Sequence, residues 1–179
     1  MQNEIVEILL TEEQIQNRIK EMAAQINEEY AGKNPIFVGV LRGVVVFFSD
    51  FIRQFNDDCQ IDFMCISSYR GANSTGECIM TKDTSLELRN RHVIILEDIF
   101  DTGKSLDFTY HVLQAKHPAS LKVVTLLDKP ERRKPWVTLK PDYVGFTIPD
   151  KFVVGYGLDY NERYRNLPYI AVIDPNKTK

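Results

Sequence analysis

Apolar and polar residues along this chain change period from block to block. After Thr11-Glu12-Glu13-Gln14, a capping-box start, Ile15, Ile19, Met22, Ile26 and Tyr30 recur at helical spacing, and Gly32 ends the run. Ile36–Leu41 is a short apolar block suited to a buried strand. Gly43 to Phe55 is predicted as the next helix, although Val44-Val45-Val46 favours strand on propensity. Ile61–Tyr69 reads as a strand. From Arg70 to Leu86 periodicity dissolves into Gly, Ser, Thr and Asn, which predicts a long loop or a loose hairpin. Further blocks predict a strand at Val93–Leu96, a helix from about Ser105 to Lys116 and a strand at Lys122–Leu127. Pro130, Pro135 and Pro141 then punctuate a connection. Tyr143–Ile148, Val153–Gly155 and Ile170–Ile173 read as short strands. This alternation predicts one α/β domain over residues 1–179, with a central parallel sheet and a smaller accessory lobe.

Candidate chemistry gathers after Val93. The run Val93-Ile94-Ile95-Leu96 suits a parallel strand covered on both faces. Glu97, Asp98 and Asp101 follow where that strand should end, and open α/β sheets hold ligands at such ends. Thr102-Gly103-Lys104-Ser105 then offers backbone N–H groups, two hydroxyls and a helix N-terminus, the parts of a phosphate cradle. The acids would repel bare phosphate, so they point to sugar hydroxyls or a divalent metal. Gly-Lys-Ser could end a Walker A loop, but position 98 is Asp where that motif needs Gly. Gly155-Tyr156-Gly157 opens a dinucleotide fingerprint, yet Tyr160 stands at its third glycine.

What remains resembles the phosphoribosyl-pyrophosphate (PRPP) motif of type I phosphoribosyltransferases: an apolar strand, Glu-Asp, two apolar residues, then Asp-Thr-Gly-Lys-Ser. Leu41-Arg42-Gly43, Ser68-Tyr69, Asp128-Lys129 and the segments from Pro149 to Tyr156 and from Leu158 to Arg165 resemble the hypoxanthine (6-oxopurine) branch of that family. The resemblance covers roughly Ile36 to Ile173. It implies a twisted parallel sheet flanked by helices, with a small hood built from the chain ends and a mobile lid loop over about residues 69–86. It implies transfer of a phosphoribosyl group from PRPP to hypoxanthine or guanine, giving IMP or GMP and pyrophosphate, with Mg2+ as cofactor. A homo-oligomer, dimer or tetramer, is also expected.

The resemblance assigns a role to each motif residue. Glu97 and Asp98 would take the ribose hydroxyls and, with Asp159, form the metal-binding set. Asp101 would accept the proton of purine N7, though the residue could equally serve as a helix N-cap. Thr102, Gly103, Lys104 and Ser105 would hold the 5′-phosphate. Arg42 and Gly43, expected beside a cis peptide at Leu41–Arg42, would contact pyrophosphate together with Arg165. Lys129, Phe152, Val153 and Asp159 would surround the purine. Lys129 can only donate hydrogen bonds, which suits O6 of an oxopurine and not an adenine amino group. Ser68 and Tyr69 would head the lid.

Composition narrows the alternatives. A chain of 179 residues, 44% hydrophobic, suits one domain with a sufficient core. Its net charge of −3 argues against nucleic acid and anionic membranes as partners. The N-terminus has no signal-peptide pattern, and Cys59, Cys65 and Cys78 have no metal-type spacing, so a cytoplasmic location is expected. A non-catalytic PRPP-binding regulator is disfavoured by the retained Asp101 and Asp159. An adenine or pyrimidine acceptor is disfavoured by Lys129 and Phe152-Val153.

Overall fold

The first helix begins as its sequence dictates. Gln14 N–H bonds to Thr11 Oγ1 at 3.2 Å, and Thr11 N–H bonds back to Gln14 Oε1 at 2.9 Å, so α1 spans Glu12–Tyr30 behind a closed capping box. The computed structural model describes residues 4–68 and 78–174. Six strands form the main sheet: β2 (Ile36–Leu41), β3 (Gln60–Ser68), β4 (Cys78–Lys82), β5 (His92–Phe100), β6 (Ser120–Asp128) and β7 (Tyr143–Thr147). Their spatial order is β4-β3-β2-β5-β6-β7. All neighbours are parallel except the edge pair β3–β4. A second, antiparallel sheet has the order β1-β9-β8, from Ile5–Leu10, Ile170–Ile173 and Val153–Val154.

Period-two alternation divides the core. Phe37, Ile94, Leu96 and Val124 point to one face, where they meet Ile19, Met22 and Ile26 of α1 and Phe47, Phe48 and Phe51 of α2 (Val45–Ile52). Ile36, Val38, Val93, Ile95 and Val123 point to the other, against Leu106 and Leu113 of α3 (Lys104–Gln114). Both faces are therefore dry, which is why these strands read as unbroken apolar runs. The Val44-Val45-Val46 run enters a helix despite its propensity. Parallel β2 and β3 require a crossover, and the helical phase buries three phenylalanines.

The structure refines these expectations. Of the two readings of the Arg70–Leu86 stretch, long loop or loose hairpin, the hairpin holds over strand β4, which pairs with β3 through Ser68↔Cys78 and Ser67↔Ile79. The main sheet is correspondingly mixed at that edge. Strand β5 runs on to Phe100, so Glu97 and Asp98 lie inside it and not beyond its end. Phe100 is 1% exposed and pairs with Asp128, and that burial extends the strand. The hood expected from the chain ends contains β1, which the apolar pattern alone did not indicate. Among the described residues no helix is long and apolar enough to cross a membrane. The three cysteines are free.

The hairpin returns to the sheet through Asp62. This carboxylate accepts hydrogen bonds from the N–H groups of Phe63 (2.8 Å), Ser85 (2.6 Å) and Leu86 (2.8 Å), with Lys82 Nζ at 3.5 Å. Burial works against its charge, but the three N–H donors and Lys82 outweigh that and hold its pKa below the ordinary value. The charged group thus stabilises the fold above its unfolded pKa and loses this effect as pH falls through the folded one. Asp62→Ala should cost about 2–4 kcal/mol of stability, by loss of charged hydrogen bonds to part-buried amides. Urea denaturation at neutral pH measures it. A cost near zero would show that the return segment is held by something else.

Candidate active site

Strand order places the site. The chain leaves β2 toward β3 on one side, while β5 leads to β6 and β7 on the other. The carboxyl ends of β2 and β5 therefore flank a topological switch point, where an open sheet leaves a crevice. A cavity of about 680 Å3 opens there. Of the residues singled out in the sequence, Arg42, Gly43, Asp98, Asp101, Lys129, Phe152, Val153, Asp159 and Arg165 line it. The Leu41–Arg42 peptide is cis, as the resemblance implied.

Glu97 and Asp98 do not act as a matched pair. Adjacent strand residues face opposite ways, and only Asp98 lines the cavity. Glu97 is 6% exposed with Oε2 buried and unpartnered. Burial, and then the Asp98 charge, push its pKa well above the ordinary range. The Asp98 carboxylate lies against Gly43: a Cβ on that glycine would stand 1.9 Å from Asp98 Oδ2.

Thr102, Gly103, Lys104 and Ser105 lie outside this cavity, in the turn just past Asp101. Gly103, at φ 85°, is the N-cap of α3, and no side chain caps the helix. Asp101 is therefore not the cap. The first N–H groups of α3 are left for an anion, aided by the helix dipole. A Cβ at Gly103 would also meet Val137 at 2.8 Å and Arg133 at 3.0 Å, so both backbone conformation and space require glycine.

The rest of the cavity wall is an array of alternating charges. Arg132 Nε is 3.3 Å from Asp101 Oδ1, a close charge pair without hydrogen-bond geometry, and 3.9 Å from Asp150 Oδ1. Lys129 follows β6, is 5% exposed, donates to the Lys151 carbonyl at 2.8 Å and lies 3.8 Å from Asp150. Phe152 is 44% exposed and meets the Tyr160 ring at 5.3 Å, edge to face, while Val153 beside it is buried. Arg165 donates to the Gly157 carbonyl at 2.8 Å and pairs with Asp159 at 2.8 Å. Arg132 was assigned no role from the sequence, and neither were Asp150 and Lys151, although both lie in the Pro149–Tyr156 segment that carries the resemblance. Arg132 stands in a basic run, Arg132-Arg133-Lys134, between Pro130 and Pro135. Ser68 ends β3 opposite Cys78, and Tyr69 with the expected lid up to position 77 lies outside the described residues.

Burial pushes the Asp98 carboxyl up to about 6, with Asp159 adding to the shift and the Ile99 N–H and Arg165 opposing it. The folded pKa is above the unfolded one. The protonated group therefore contributes stability that is complete below pH 3.8 and lost as pH rises through about 6. Asp98→Asn carries no such charge. Its melting temperature relative to wild type should climb between about pH 4 and about pH 7. Melting curves that run parallel across that range would show that Asp98 is not desolvated.

This geometry has counterparts. Residues 6–161 match the family model described as the phosphoribosyl transferase domain. Over 176 residues the chain is 50% identical to the hypoxanthine-guanine phosphoribosyltransferase of Staphylococcus aureus, covering 98% of this chain and 97% of that protein. A crystal structure of a hypoxanthine phosphoribosyltransferase from Staphylococcus aureus superposes with a TM-score of 0.93 at 48% identity, covering 100% of this chain and 97% of that one. A hypoxanthine-guanine phosphoribosyltransferase from Bacillus anthracis gives 0.89 at 45% identity, over 96% and 100% of the two chains. With sequence and structure agreeing across nearly its whole length, this chain belongs to the phosphoribosyltransferase family.

Proposed function

We propose that this protein transfers the 5-phosphoribosyl group of PRPP to a 6-oxopurine, hypoxanthine or guanine, yielding IMP or GMP and pyrophosphate in purine salvage. The observation that carries this reading is Lys129, an ammonium 5% exposed in the cavity wall beside Phe152 and Val153. One of its donors is spent on the Lys151 carbonyl, leaving the others for an acceptor such as O6. The Phe152 ring offers a surface for stacking, and the Val153 backbone would meet the edge of the base.

The remaining groups fall into sequence along the crevice. Asp98 orients the ribose through its hydroxyls, while Glu97, turned away from the cavity, backs it. The open N-terminus of α3 receives the 5′-phosphate on backbone N–H groups. Asp101 accepts the N7 proton as N9 attacks the anomeric carbon and the bond to pyrophosphate breaks. Arg42 and Arg165 hold the leaving group. Holding both reactants in line and meeting charge with fixed partners accounts for the rate without a covalent intermediate.

The donor set fits a magnesium ion shared with the substrate. Asp98 and Asp159 face one cavity, and the Asp159 charge adds to the cost of ionising Asp98, which a cation would relieve. Among the described residues no group of three or more His, Cys, Asp or Glu could hold a metal alone. Mg2+ commonly takes one or two carboxylates and completes its shell with substrate oxygens and water. Asp159, with Asp98 nearby, would hold it, and when bound it supplies neutralising charge to the leaving pyrophosphate.

The direct test incubates the protein with PRPP, Mg2+ and each free base in turn. Hypoxanthine and guanine should give nucleotide and pyrophosphate, adenine should not, and exhaustive chelation should stop turnover. Nucleotide formation from adenine alone would overturn the reading of the acceptor.

Lys129→Gln tests the specificity determinant. An amide can donate to O6 or accept from an amino group, so the mismatch with adenine is relieved and the charged bond to the oxopurine is lost. The ratio of kcat/KM for hypoxanthine over adenine should fall at least about tenfold. An unchanged ratio would show that Lys129 does not read the base.

A further inference from the structure

Arg42 and Arg165 reach the cavity from opposite ends of the chain, and one side chain ties them together. Glu162 Oε1 lies 2.6 Å from Arg42 Nη2, and its other oxygen, Oε2, lies 3.3 Å from Arg165 Nη2. Each carboxylate oxygen thus serves one guanidinium, as adjacent oxygens of a phosphate would. The bridge contributes little to the fold. Glu162 is 60% exposed and Arg42 70% exposed, and ion pairs so open to water add at most about 1 kcal/mol.

The backbone nevertheless makes an effort to present this residue. Tyr160 and Arg163 exchange backbone hydrogen bonds at 3.2 and 3.1 Å across a two-residue turn. Both central residues are left-handed, Asn161 at φ 52° and Glu162 at φ 61°. Asparagine tolerates that region, but the second position of such a turn is ordinarily glycine. A glutamate there is strained, and strain of this kind marks function more often than packing. The Glu162 N–H donates to Asp159 Oδ2 at 3.0 Å, which locks the turn to the same cluster.

We propose that Glu162 is a built-in competitor for the pyrophosphate group. In the free enzyme it occupies Arg42 and Arg165. It yields them when PRPP enters and reclaims them as pyrophosphate departs, which keeps the arginines aligned and limits how tightly the product is held. This inference rests on the reading of those arginines as the pyrophosphate clamp.

Two substitutions separate competition from structure. Glu162→Gln keeps the shape and the strained backbone but removes the charge. Glu162→Gly removes the side chain and relieves the strain. Both should bind inorganic pyrophosphate with Mg2+ about fivefold more tightly than wild type in calorimetry, the scale of one or two exposed ion pairs. The gap should narrow in high salt. Affinity for IMP, which lacks the pyrophosphate, should not change. Glu162→Gly should also melt higher than wild type, an outcome a structural role would reverse. Pyrophosphate affinity that is equal or weaker in both variants overturns the proposal. Arg165→Gln is the control on the clamp itself: if it binds pyrophosphate as well as wild type, the clamp assignment fails regardless of what the Glu162 variants do.

Discussion

The structure turns on a place where three distant segments meet with no room for a methyl group. A Cβ on Gly43 would strike the Asp98 carboxylate at 1.9 Å, and a Cβ on Gly157 would stand 2.0 Å from the Gly43 carbonyl oxygen. The end of β2, the end of β5 and the turn after β8 are thereby held in contact. Much of what lines the crevice hangs from this junction: Arg42 precedes Gly43, Asp101 follows Asp98, and Asp159 and Arg165 follow Gly157. Small shifts are not available, because packed interiors do not deform continuously. The same closeness desolvates Asp98 and pushes its carboxyl up to about 6.

A second consequence concerns charge. The free site holds its ionised groups in mutual pairs, Asp101 with Arg132, Asp150 with Lys129, Asp159 with Arg165, and Glu162 with both Arg42 and Arg165. Such a site can bring a polyanion and a base together without first stripping bulk water from isolated charges. On the proposed reading, substrate groups would replace these protein partners. Fixed dipoles and charges that need no rearrangement in the reaction give most of the electrostatic advantage available to an enzyme. The uncapped start of α3 belongs to the same scheme, since its N–H groups point outward already ordered.

Much of this was written into short stretches of sequence. The capping box at Thr11, the apolar blocks of β2, β5 and β6, and the Gly103 turn depend on residues within a few positions of one another, and each formed around the residues its pattern marked, although β5 runs on past its apolar block to Phe100. The family motifs likewise assigned roles to nine of the residues that line the cavity. A local pattern can carry this information because helix caps, strand alternation and left-handed turns are decided by near neighbours.

Other features were settled only by contacts across the fold. Whether Glu97 or Asp98 faces the crevice depends on where β5 ends, and that is set by Phe100 burying opposite Asp128. Strand β4 has a weak apolar pattern because it lies at an edge, and β3 supplies its partner groups. Arg132 and Asp150 gain meaning only beside Asp101 and Lys129, which approach from other strands. Glu162 reads in sequence as one more surface acid, and only the meeting of Arg42 and Arg165 gives its carboxylate two cations to bridge. The sequence by itself determined most of the helices and central strands, the glycine turn that opens α3 and the family, since those rest on local chemistry. The tertiary structure decided which acid faces the substrate and which charges are paired, since those rest on distances between segments far apart along the chain.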